Sequence, residues 1–230
     1  MVFQEESPLV LAGTLKFDAL YDPGKDQCVI NPGERAGFHG ERIQDSYEIK
    51  IRFETSEYSD LPQVYETAGR IDRIAQERKK KRTDLHIQPS GAACLCLKMQ
   101  ENEYLPNGFN LPDYFCKLVI PFFYGQSYFE KHGKWPWGEY SHGELGYLEG
   151  YGEIGEDVTI ESVLDCIELL KKCGRKWAFY ESQLRKVGGL NVHRYLCFCG
   201  SGKKIRKCHL RAFRGLSKLK EDIKRFSIQI

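Results

Sequence analysis

The chain has 230 residues, of which 41% are hydrophobic and 29% charged, with a formal net charge of +2; that leaves room for one large domain, or a medium domain and a small module, and excludes a disordered or fibrous chain. No apolar run reaches the ~18 residues of a helical membrane span, and the start Met1-Val-Phe-Gln-Glu-Glu6 lacks the basic and apolar stretches of a signal peptide. A soluble, cytoplasmic protein with no membrane partner is the expectation.

In chain order, Leu9 to Tyr21 reads as a first strand and residues 22–40, rich in Gly, Pro and Asp, as a loop. Ser46 to Phe53 alternates cleanly, with Tyr47, Ile49, Ile51 and Phe53 on one face, which predicts a half-buried strand. Leu61 to Thr67 predicts a third strand, and the basic run Arg78–Arg82 a solvated loop. Leu85 to Leu97 reads as a turn leading into a short apolar strand. Leu111 to His132 is long enough for a helix despite Pro121, ending near Gly133. Trp135 to Gly143 reads as a rigid aromatic turn. Asp157 to Lys172 predicts an amphipathic helix, capped by Thr159 or Asp157 and stopped by Gly174. Lys176 to Val187 predicts a second helix, Gly188-Gly189 a break, and Leu210 to Phe226 a basic closing helix.

The net charge hides an asymmetry. Residues 170–230 carry 17 Lys and Arg against three acids, a net of +14, while residues 1–169 carry −12. An acidic body and a basic tail point to two functional parts. Nine cysteines are present, but a reducing compartment argues against disulfides. Three of them cluster with a histidine in Cys197-Phe-Cys-Gly-Ser-Gly-Lys-Lys-Ile-Arg-Lys-Cys-His209. One residue between Cys197 and Cys199 lets both sulfurs reach one ion from a tight knuckle, and Gly200 and Gly202 permit the turn. Cys208 and His209 complete a four-ligand set without a carboxylate, which points to structural, tetrahedral Zn(2+).

Cys94 follows the turn His86-Ile-Gln-Pro-Ser-Gly-Ala-Ala-Cys94, and Gly91 lets that turn bend. A histidine folded back beside a thiol is the minimum for acyl chemistry. The alternation of Ala93, Leu95 and Leu97 with Cys94 and Cys96 equally describes an ordinary core strand, in which both cysteines share a face. The aromatic residues between Tyr114 and Phe129 read as core, and Trp135-Pro-Trp137 as core or as a wall beside the cysteine.

Two resemblances follow from these motifs. Residues 197–209 closely resemble the SEC-C motif, a metal-binding tail found on many unrelated bacterial proteins, which implies docking to a protein partner. Nucleic acid is the competing partner for the basic tail. Residues 8–150 resemble the bacterial branch of the ubiquitin-conjugating enzyme fold. The resemblance rests on the strands Ser46–Phe53 and Pro62–Thr67, the Gly69-Arg-Ile-Asp-Arg segment, and His86-x-x-Pro-Ser-Gly-x-x-Cys94-Leu95. It continues in Gly133-Lys-Trp-Pro-Trp-Gly-Glu139 and His142. It implies that Cys94 carries a ubiquitin-like protein as a thioester received from an activating enzyme, with His86 as its catalytic partner, often in antiphage defence. Gln88 stands where eukaryotic relatives place the Asn of a His-Pro-Asn tripeptide. The resulting expectation is an α+β protein, with an antiparallel strand meander and packed helices in a ubiquitin-conjugating-like domain over 1–150. A helical linker over 151–190 and a zinc module over 191–230 would follow. The alternative is a non-catalytic adaptor.

Overall fold

The computed structural model describes residues 9–25, 27–33, 40–56, 59–137, 141, 143–155, 158–172, 174–186 and 190–230. The expectations placed on Glu139, His142, Asp157 and Gly188-Gly189 lie outside those residues. The chain is α+β and forms two compact units, Met1–Glu139 and Tyr140–Ile230.

The first unit is built on a four-stranded antiparallel sheet of β1 (Val10–Asp22), β2 (Gln27–Ile30), β3 (Arg42–Arg52) and β4 (Gln63–Glu66), in the order β2-β1-β3-β4. β1, β3 and β4 follow one another as a meander. β2, read in the sequence as loop, instead folds back onto the outer edge of β1 with Ala19 opposite Ile30. Its four residues are too few for an alternation to show, and the Asp22 turn that starts it looks like any polar loop. In that turn Lys25 N–H donates to Asp22 O and Gly24 N–H to the Asp22 carboxylate. The period-2 pattern of β3 is realised: Tyr47, Ile49 and Ile51 are buried on one face, with Leu15 of β1 opposite Tyr47.

Helices cover that face. α1 (Arg70–Glu77) buries Ile71, Ile74 and Ala75, an i, i+3, i+4 set. A short α2 (Glu101–Tyr104) precedes one long helical run: α3 (Leu111–Tyr114), a π-helical turn at Phe115–Val119, and α4 (Ile120–His132). Asn110 caps its start by accepting from Asp113 N–H at 2.9 Å. The wide turn falls just before Pro121. There the missing N–H and the proline ring would otherwise conflict with the carbonyl one turn back. The helix therefore survives its proline, and Gly133 closes it at φ 68°.

A polar chain ties α4 to the sheet. Tyr47 Oη lies 3.0 Å from Ser127 Oγ, and Ser127 donates to Asp45 at 2.6 Å. Arg70 bridges Asp45 and Glu130 and lies over the Tyr47 ring at 4.3 Å. Burial pushes the Asp45 carboxyl up, but Arg70, Ser127 and the Ser46 amide outweigh it and hold the group below its ordinary value. The aromatic stretch is core: Tyr114, Phe122, Phe123, Tyr124 and Phe129 are buried.

The second unit is helical. It contains α5 (Glu144–Glu153), α6 (Ile160–Lys172), α7 (Trp177–Arg185) and α8 (Leu210–Arg225). Thr159 caps α6, accepting from Ser162 N–H at 3.2 Å. Residue 150 falls inside α5, and residues 151–190 are not a linker. α6 and α7 fold in one unit with the cysteine-histidine segment because their apolar faces need α5 and α8 for burial. Tyr151 of α5 donates to Asp222 of α8 at 2.8 Å, and buried Lys220 of α8 donates to Gln183 O of α7 at 2.9 Å. No helix among the described residues is long and apolar enough to cross a membrane.

Candidate functional site

The four residues Cys197, Cys199, Cys208 and His209 come together as the spacing predicts. One ligand atom from each lies within 4.8 Å of all the others, and the group can hold a metal ion. A two-stranded ribbon makes the site. Cys197 N–H donates to Lys203 O at 2.7 Å and Ile205 N–H to Tyr195 O at 3.1 Å. Gly200 and Gly202 turn the ribbon at φ 79° and 70°, in the left-handed region that glycine enters without strain. A 3-10 turn, Ile205–Lys207, then delivers Cys208 and His209 to the start of α8.

One sulfur pair has the separation that a tetrahedral ion would set. A tetrahedral ion about 2.3 Å from each sulfur sets two sulfurs roughly 3.8 Å apart; Cys199 Sγ and Cys208 Sγ are 3.7 Å apart. The His209 Nδ1 lies 3.0 Å from Cys197 Sγ and 3.3 Å from Cys208 Sγ. Ser201 supports the site, with Oγ 3.5 Å from Cys208 Sγ. Beneath it Cys197, Ile205 and Phe213 form a small core of their own. A core this small needs a second source of cohesion.

The Cys94 segment is also placed, but not as a strand. Gln88-Pro-Ser-Gly91 forms a β-turn, with Gly91 N–H donating to Gln88 O at 2.9 Å. Gly91 sits at φ 89°, which excludes a β-carbon there without strain. The turn folds Ala93 back opposite Ile87, and Ala93 N–H donates to Val64 O of β4 at 2.7 Å. Cys94 N–H donates to His86 O at 2.7 Å, so the two residues are backbone neighbours. Beyond Ala93 the chain bends instead of extending and enters the 3-10 turn Lys98–Gln100. The expected strand over Ala93–Leu97 is therefore absent. With a single bridge to hold it, the segment has no ladder to enforce alternation, and the shared-face argument for Cys94 and Cys96 lapses.

His86 occupies left-handed backbone at φ 56°, rare for a residue with a β-carbon. Its ring meets Trp135 edge-on, centroids 4.9 Å apart, and Trp135 packs on Phe129. Trp135 is thus a wall beside the histidine. The Cys94 thiol donates to Cys96 O at 4.0 Å. Burial pushes the Cys94 thiol up, and burial together with the nearby Glu101 pushes Cys96 well above the ordinary thiol value. Gln88 and Cys96, not Cys94, line a shallow cleft with Ser59 and Gln63. Its volume of about 10 Å³ has room for roughly one water. Sequence reading missed Glu101. This buried carboxylate accepts from Ser59 Oγ at 2.6 Å beside Cys96, and its α2 is too short to announce itself by periodicity.

No family model, curated protein or solved structure matches the chain.

Proposed function

We propose that the first unit carries a ubiquitin-like protein as a thioester on Cys94 and passes it to an amine, while the second holds a structural zinc at Cys197, Cys199, Cys208 and His209. The observation that carries the first part is the 2.7 Å hydrogen bond from Cys94 N–H to His86 O, which joins thiol and imidazole residues across a turn fixed by Gly91. For the second part, three cysteines and one histidine whose ligand atoms lie within 4.8 Å of one another are a donor set suited to zinc.

The chemistry balances without a further cofactor. Cys94 sulfur attacks the thioester carbonyl that the activating enzyme presents. A new C–S bond forms, the old one breaks, and the Cys94 proton ends on the departing thiol. An amine then attacks the Cys94 thioester; the C–N bond forms, the C–S bond breaks, and one amine proton leaves through a base, for which His86 is the candidate. The side-chain amide of Gln88 is the candidate hydrogen-bond donor for the tetrahedral oxyanion. Gln88 commits its backbone N–H to Ala92 O at 2.8 Å.

One observation favours a second reading. Both thiols of the segment are pushed up by burial, which suits an inert platform whose zinc module docks a partner. Incubation with a cognate activating enzyme, its carrier and ATP separates the two. A reducible adduct lost in Cys94→Ser supports the enzyme. An adduct that survives there but is lost in Cys96→Ser moves the nucleophile, and no adduct with an active pair leaves the platform.

A further inference from the structure

From Ser182 to Lys220 the chain contains 11 Lys and Arg and no Asp or Glu. Some of this charge is answered locally. Arg185 pairs with Glu181, Arg211 with Glu153, and Lys218 with Asp222. Six cations are not: Arg194, Lys203, Lys204, Arg206, Lys207 and Arg214 are exposed and have no ion-pair partner among the described residues. Four of the six sit on the metal ribbon and its 3-10 turn. A three-thiolate zinc site carries only about one net negative charge, so most of the positive charge remains uncompensated.

The surroundings of these cations narrow the partner. Leu196 is bridged across the ribbon to Lys204 and is 55% exposed. Phe179 is 39% exposed and packs on Phe198 at 5.0 Å. The apolar face of α8, with Phe213, Leu216, Leu219 and Ile223, is buried, so this basic helix has no apolar face left to enter a lipid surface. A folded acidic protein needs a sizeable apolar interface core, and two exposed side chains do not provide one. Cations on a ribbon beside isolated stacking groups fit a flexible polyanion whose bases can stack. We infer that this ribbon face binds single-stranded nucleic acid, chiefly through Lys203, Lys204, Arg206 and Lys207, with Phe179 offering a stacking surface. The inference is independent of the thioester reading and would stand if Cys94 were inert.

The test is fluorescence anisotropy of the full, metal-loaded chain with a labelled mixed-sequence 20-mer RNA, its DNA equivalent, a duplex of the same length, and polyglutamate. Single-strand binding should fall steeply with salt, since each phosphate neutralised contributes about −0.7 to the logarithmic slope. Lys203→Ala/Lys204→Ala/Arg206→Ala/Lys207→Ala should flatten the slope by up to about 3 and weaken binding at least about tenfold. Its metal content, measured alongside, shows that the ribbon is still formed. Should that variant lose its metal, Arg194→Ala/Arg214→Ala, outside the ribbon turn, reads the same charge and should weaken binding several-fold. Lys79→Ala/Lys80→Ala, in the basic loop of the first unit, should leave binding unchanged. Phe179→Ala should weaken binding without altering the slope. Three results would overturn the inference: no binding at low salt, binding indifferent to removal of the ribbon charges, or equal affinity for polyglutamate or duplex.

Discussion

Gly215 of α8 lies against Leu148 of α5 so closely that a β-carbon added to it would stand 1.6 Å from the Leu148 carbonyl oxygen. Gly152 meets Gly215 from the other side; its own added β-carbon would lie 3.0 Å from the Gly215 α-carbon. The two helices cross backbone to backbone, and the crossing holds the second unit's largest helix in place. Gly215→Ala should therefore cost about 3 kcal/mol or more, at the upper end of overpacking. Helix propensity alone makes the opposite prediction, a gain of about 1 kcal/mol for alanine over glycine. Thermal unfolding decides the sign, and a raised midpoint for Gly215→Ala would reject the close crossing.

That crossing also explains what the sequence concealed. α5 reads Glu-Leu-Gly-Tyr-Leu-Glu-Gly-Tyr-Gly-Glu, and its three glycines argue against a helix by propensity. What stabilises it is packing on a helix some sixty residues later, which no local pattern encodes. α1 carried its apolar triplet openly at Ile71, Ile74 and Ala75, but eight residues are a short window for a 3.6-residue period. β1 was legible as a strand, and the buried face of β3 was legible because one side is buried and the side-chain period is two. The metal cluster was the most legible feature, since ligand identity and spacing nearly dictate the fold of so short a ribbon. The Cys94 segment was half legible. Pro89, Ser90 and Gly91 announced the turn, but the path beyond Ala93 depends on β4 and α2, so alternation gave a strand that does not exist.

Metal removal should expose how little core the ribbon owns. With Cys197, Ile205 and Phe213 as its buried core and Leu190, Val192, Tyr195 and Phe198 partly buried around them, the segment should lose its structure when the ion leaves. Purified protein should contain about one zinc per chain, and Cys199→Ser or Cys208→Ser should abolish it. A chelator should lower the unfolding midpoint of the second unit while leaving that of the first in place. Elemental analysis showing no metal in protein purified without chelators would remove the site altogether.

The Asp45 network predicts an acid-sensitive first unit. Because the folded carboxyl titrates below its unfolded value, its contribution is complete above the unfolded pKa of about 3.9 and is lost as pH falls through the lower folded value. Denaturant unfolding followed by fluorescence should thus show stability dropping as the pH falls below about 4. Asp45→Asn removes this titration while keeping the Arg70–Glu130 pair, so the variant should be weaker at pH 7 but lose less on acidification. Parallel pH profiles for the two proteins would show that the network is not linked to acid stability.

Native thiol labelling tests the state of Cys94 directly, because burial and a raised pKa both deplete the reactive thiolate. Cys116 is exposed and serves as the internal standard, whereas Cys94 and Cys96 are half-buried and burial pushes both thiols up. At pH 7, N-ethylmaleimide followed by peptide mapping should modify Cys116 first, with Cys94 and Cys96 at least about tenfold slower. In guanidinium the difference should vanish, because it arises from the fold and not from neighbouring sequence. Raising the pH should speed Cys94 more than Cys116 once its thiol begins to ionise. If Cys94 reacts as fast as Cys116 in the folded chain, the thiol is open in solution and the platform reading loses its one supporting observation. If it stays protected while a cognate activating enzyme still forms the adduct, docking of that enzyme must uncover the sulfur. The segment beyond Ala93, held by a single bridge, is then where the movement has to occur.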